Sequence, residues 1–239
     1  MRSFDSVLAL RARLALIRAT SCLGLIVAIT IASPSTCSAQ EDPPDIVRIE
    51  EDWELAIAAP DPVADVPQVV CVFGPSDPNG SLYAVFELNH ASLPDFAAGG
   101  MQLQCWYDSY VLGYDNHTHH GEFEASVDYV TFTTVTRMHD DHMHLQIING
   151  NSITWGEFGG ESNLNLRINT WRNNFNDYDP EFSIANSRVT FGANRVNRFV
   201  RREVRYYSAD GLYQTDEEDK YVHQLVVDDP SEGPEEATE

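Results

Sequence analysis

The sequence predicts an all-β protein, a two-layer antiparallel β-sandwich or jelly roll spanning residues 46–227. Three observations predict it. Apolar and polar residues alternate with period two in many short segments. Clusters of Gly, Pro, Asn and Asp bound those segments. With one exception, no helical stripe persists over three turns, and strands without interleaved helices close as two packed sheets.

The elements follow in chain order. Residues 46–57 and 69–73 are rich in β-branched and aromatic side chains. In 82–89, Leu82, Ala84, Phe86 and Leu88 share one face, while Tyr83, Val85, Glu87 and Asn89 share the other. Residues 101–107 put Met101, Leu103 and Cys105 together, opposite Gln102, Gln104 and Trp106. Residues 127–138 are dense in Val, Thr, Tyr and Phe. Met143, Leu145 and Ile147 alternate with His144 and Gln146, and Leu164, Leu166 and Ile168 alternate with polar neighbours. Residues 188–191 and 221–227 complete the set with 196–207. In that last segment Val196, Phe199, Val200, Val204 and Tyr207 also fit helical spacing. Its β-branched and aromatic crowding favours a strand with a bulge.

The ends differ from this body. Residues 1–39 carry four Arg, a short apolar centre and the small residues Cys37 and Ala39 before Gln40, the pattern of a secretory signal peptide. Residues 40–45 form an acidic lead-in. Residues 228–239 hold six acids and no aromatic, a composition expected to stay disordered. No apolar run of about 18 residues follows residue 40, so no membrane span is expected in the mature chain.

Asp and Glu number 37 against 15 Lys and Arg, for a net charge of -22. Without residues 1–39, 36 acids face 11 bases, a net of -25. Such a surface excludes nucleic acid and anionic lipid as expected partners. It repels itself, which suits a saline medium. Only Cys71 and Cys105 remain in the mature chain, both on apolar strand faces and neither at metal spacing. An exported chain most simply joins them in a disulfide, the alternative being two separate buried thiols.

Four segments resemble a group of secreted bacterial proteins of unknown function: Arg48–Leu55 (RIEEDWEL), Phe86–His90 (FELNH), Thr154–Gly160 (TWGEFGG) and Val204–Tyr207 (VRYY). More loosely, an Asn149-Gly150 turn after a Leu-x-Ile strand, together with the late VRYY strand, is similar to concanavalin-type and laminin-G-like sandwiches. That resemblance implies the fold and a leaning toward glycans or surfaces. It implies no site residues.

Four groups of residues bear on chemistry. His117, His119 and His120 lie in one histidine cluster and His139, His142 and His144 in another. Closely spaced imidazoles with carboxylates can hold a transition metal. His117, His119, His120 and Glu124 form the candidate set, because His117-x-His119 with Glu124 resembles half of a cupin metal motif. The closing glycine and the second cupin motif are missing, and solvated loop tips are the plain alternative. Arg195, Arg198, Arg201, Arg202 and Arg205 form the main basic group. On a regular strand Arg198 and Arg202 share a face and can capture an anionic glycan or phosphate, unless they pair internally with carboxylates. Trp155, Trp171 and Tyr114 can stack on sugar rings, unless they belong to the core. Asp140-Asp141 and Asp177-Tyr178-Asp179 offer oxygen ligands for calcium.

The function these readings favour is a secreted binding or surface-associated module, with polysaccharide or a cell-surface component as partner. The alternatives are a metal-dependent, cupin-like enzyme on the His117 loop and a structural envelope protein. No nucleophile elbow or phosphate loop occurs.

Overall fold

The computed structural model describes residues 42–59, 67–75, 81–90, 100–117, 127–170 and 172–225. Ile46–Ile57 (β1) is an inner strand of the larger sheet. Its row of Ile49, Trp53, Leu55 and Ile57 is apolar and buried. β1 pairs antiparallel with Val196–Ser208 (β11) on one edge and Asp128–Met138 (β6) on the other. Next to β6 runs His142–Ser152 (β7), whose far edge pairs with Gly156–Phe158 (β8) and Asn165–Asn169 (β9). Next to β11 lie Gly211–Asp216 (β12) and Lys220–Gln224 (β13). The smaller sheet runs Arg188–Phe191 (β10), Gln68–Phe73 (β2), Leu82–His90 (β3), Gly100–Tyr107 (β4), Tyr110–His117 (β5).

The inner faces of the two sheets meet in one core. Within the larger sheet Trp53 stacks on Phe132 and meets Phe199 at a tilt. Phe86 of the smaller sheet meets Phe132 edge-on, with ring centroids 5.1 Å apart, the geometry the ring quadrupoles favour. The expected all-β, two-layer antiparallel sandwich is therefore the observed one. Among the described residues, no helix is long and apolar enough to cross a membrane.

β5, β8 and β12 were not expected as strands. β5 (YVLGYDNH) lacks alternation because it is an edge strand whose apolar residues stay largely exposed. A short helix, Pro180–Asn186 (α1), was also not expected. At seven residues it is too short to show a stripe, but its start is encoded. Asp179 caps the first turn by accepting from the Glu181 amide at 3.0 Å, and Pro180 opens it.

The expected Cys71–Cys105 disulfide is corrected. Both residues face the core, as alternation implied, but both are free thiols. Cys71 pairs with Phe86 across one edge of β3, and Cys105 pairs with Ala84 across the other. Two sheet spacings, about 9.5 Å, separate them, beyond the roughly 7 Å that a disulfide spans. Burial pushes both thiols up, Cys105 to about 12.

The expected Asn149-Gly150 turn is also corrected. Both residues lie inside β7, with Asn149 at φ 55°. Pairing with β6 steps from Ile148↔Thr133 to Asn151↔Thr131, so the dipeptide forms a bulge. There β7 also takes β8 as a partner. A Cβ on Gly150 would collide with the Phe158 ring, and one on Gly159 (φ 83°) with the Ile147 carbonyl oxygen. The glycines of this region thus seat the TWGEFGG segment against β7.

Candidate functional site

The bulge expected in β11 exists. Register runs to Asp52↔Glu203 and resumes at Trp53↔Arg201, leaving Arg202 as the extra residue. This shift divides the arginines differently from a regular strand. Arg201 turns inward and is 1% exposed, while Arg205 turns outward beside Arg202. Arg198 and Arg202, expected to capture a ligand, are committed to the protein. Both donate to Glu54, Arg202 with Nη2 at 2.9 Å from each carboxylate oxygen, and Arg202 also reaches Asp219 at 2.5 Å. Arg205 bridges Glu50, Asp52 and Glu203. Burial alone would raise the Glu54 carboxyl. Hydrogen bonds from Tyr129 and Arg202 and the two guanidinium charges outweigh it and hold it below its ordinary value.

Trp155 is likewise corrected from a ligand-stacking residue to a core residue. It is 5% exposed in the turn after β7, packed into the main core. Trp171 lies outside the described residues. Tyr114 on β5 is 61% exposed and is available.

Of the expected metal set, His119, His120 and Glu124 lie outside the described residues. His117 ends β5 and lines a cleft of about 780 Å³ with Asn149, Asn151, Glu157 and Asn163. The second histidine cluster sits at the opposite end of β7. From His144 to Asn149 is five residues, about 17 Å along the strand, so His117 does not join it. His139, His142 and His144 do converge on one another. At 177–179, where the sequence offers oxygen ligands for calcium, the side chains have partners within the protein. Asp177 pairs with Arg172, Asp179 caps α1, and the Tyr178 hydroxyl donates to Glu51 at 2.6 Å.

The outer face of the smaller sheet carries a built surface. Alternation sends Tyr83, Val85 and Glu87 of β3 and Gln102, Gln104 and Trp106 of β4 to this side, opposite the core row of Leu82, Ala84, Phe86, Leu103 and Cys105. α1 lies along one border, where Phe182 meets Tyr83 with ring centroids 6.3 Å apart. The result is a cleft of about 320 Å³ with Tyr83, Trp106 and Phe182 as its aromatic walls and Glu87, Gln104, Asn186 and Arg188 as its polar groups.

These polar groups form a chain. The Trp106 indole N–H donates to Gln104 Oε1 at 2.7 Å, fixing the ring's edge while the ring remains half-buried. Gln104 Nε2 donates to Glu87 Oε2 at 3.1 Å and to Gln102 Oε1. Gln102 in turn donates to Asn116 on β5 at 2.7 Å. Gln104 pairs in register with Tyr114, so the exposed Tyr114 ring extends the same surface beyond the cleft. Burial pushes the Glu87 carboxyl up, and the charge of Arg188 opposes this only in part. Aromatic faces bordered by amides and one carboxyl suit a ligand that has both C–H faces and hydroxyl groups.

Trp106 was legible in part. Its place opposite Cys105 put it outside the core row, but only the sheet order shows what lies beside it. The chain matches no known protein family, no curated protein and no solved structure.

Proposed function

We propose that this protein is a secreted, extracellular binding module that holds an uncharged polysaccharide, free or on a cell surface, against the outer face of its smaller sheet. The observation that carries the reading is the Trp106–Gln104–Glu87 chain set between Tyr83 and Tyr114. A sugar ring stacks its C–H face on an aromatic ring and directs its hydroxyls to fixed amide and carboxyl groups. The net charge of -22 disfavours polyanions, so a neutral glycan is the expected class. The signal-like residues 1–39 support export. The likeness of the sequence to concanavalin-type and laminin-G-like sandwiches leans toward the same ligand class by fold analogy alone.

Affinity electrophoresis of the purified chain through gels containing neutral and acidic polysaccharides tests this. At least one neutral polysaccharide should retard the wild type. Trp106→Ala should weaken retention about tenfold or more, equivalent to about 1.4 kcal/mol, and Tyr114→Ala by less. Ile153→Ala, an exposed change away from this face, should bind as the wild type does. Unchanged binding in Trp106→Ala would overturn the assignment of the site. Self-association through the exposed β5 edge with no glycan retention would favour the structural envelope reading instead.

A further inference from the structure

The turn joining β6 to β7 brings three imidazoles together. The His139 amide donates to the His142 carbonyl at 2.8 Å and closes the turn. His142 and His144 then project from the same face of β7, opposite the buried Met143 and Leu145. The three ring centroids lie 4.6 to 4.9 Å apart. One ligand nitrogen from each ring can be chosen so that all three lie within 4.8 Å of one another.

Two details suit a cation-binding role. The Asp141 carboxylate lies 2.5 Å from His142 Nδ1, an outer partner of the kind that orients a metal-binding imidazole through its other nitrogen, Nε2. His139 Nε2 is buried and has no hydrogen-bond partner, a costly state for an imidazole nitrogen unless something else occupies its lone pair. Around the triad, Asp140 and Asp141 balance Arg137 and Arg167, the latter 3.5 Å from Asp141.

The donor type selects the ion. Three imidazoles with no carboxylate in the set suit a first-row divalent transition ion and not calcium or magnesium. Tetrahedral zinc bound at about 2.0–2.1 Å needs nitrogens about 3.4 Å apart, so binding would draw the three rings together. We infer that the β6–β7 turn binds one divalent transition-metal ion of the zinc class through His139, His142 and His144, with a fourth position open to solvent. This site is independent of the glycan face on the other sheet.

The test is titration of the untagged, chelator-treated full chain with Zn²⁺ against a chromogenic chelator. One equivalent should bind and raise the thermal midpoint. His142→Ala and His144→Gln should each lose about tenfold or more in affinity, keep the wild-type midpoint without metal, and lose the metal-induced rise. His117→Ala should retain both. Cobalt substitution of the wild type should give the visible bands of a tetrahedral site, and these should vanish in His144→Gln. The inference falls if zinc does not bind at one equivalent. It also falls if both turn variants bind zinc as the wild type does, or if only replacement of His117, His119 and His120 removes binding.

Discussion

Asp128 shows how one side chain shapes a loop. It opens β6, yet its carboxylate accepts from Ser152 Oγ at 2.8 Å and from the amides of Ile153 and Thr154 at 2.8 and 2.9 Å. It thereby caps the turn that buries Trp155. Burial would raise its carboxyl, but hydrogen bonds from Thr154, Ser152 and the Ile153 amide outweigh that and hold it below its ordinary value. A depressed carboxyl contributes stability above its unfolded-state pKa and loses it as pH falls through its folded value. Asp128→Ala should therefore cost about 2 kcal/mol in urea unfolding at neutral pH. The difference from the wild type should shrink as pH falls below the ordinary carboxylate range. A constant difference across that range would show that the carboxylate charge is not involved. At the same scale, the chemistry of Trp155 and Arg202 is legible in the sequence, but their surroundings are not. An aromatic beside glycines looks the same whether the glycines expose it or seat it.

The pairing of β1 with β11 is the element in which local and tertiary effects meet. Alternation along β1 predicts an apolar inner row, and Glu51 breaks it. The β11 bulge supplies the answer by turning Arg201 inward, 3.2 Å from Glu51. Tyr178 and Thr134 also donate to Glu51, and the Arg201 guanidinium reaches the Pro180 carbonyl, so the pair ties α1 to the larger sheet. Burial still pushes the Glu51 carboxyl up against the opposing charge of Arg201. Removing one partner strands the other. Arg201→Met should cost about 3–5 kcal/mol in equilibrium unfolding. The double change Glu51→Leu, Arg201→Met should recover much of that loss. A double variant as unstable as the single one would refute the pair as the source of the effect.

For the whole molecule, charge and layering act separately. The acidic row of β1 is neutralised locally by Arg198, Arg202 and Arg205 on the neighbouring strand. The net charge of -22 remains as long-range self-repulsion. Salt screens that repulsion over about 10 Å at 0.1 M and over less at higher concentration. The thermal midpoint should rise between low salt and 1 M NaCl. A midpoint that falls would mean that the screened arginine pairs contribute more than the repulsion takes away. Two packed sheets also separate two groups of aromatic residues. Those on the inner rows form the core, while those on the smaller sheet's outer face line a cleft that α1 helps to wall.

Period-two alternation and the turn residues between segments were enough, in the sequence alone, to determine the all-β class, most strand positions and which faces point inward. These are local properties of an extended backbone. Tertiary structure decided everything that depends on which strand lies beside which. It placed β3 between Cys71 and Cys105, and it set Gln104 between Glu87, Trp106 and Tyr114. It also separated His117 from the three histidines of the β6–β7 turn. Alternation assigns a side chain to a face but says nothing about its neighbour across the sheet, because strand order arises from long-range pairing that no local pattern records.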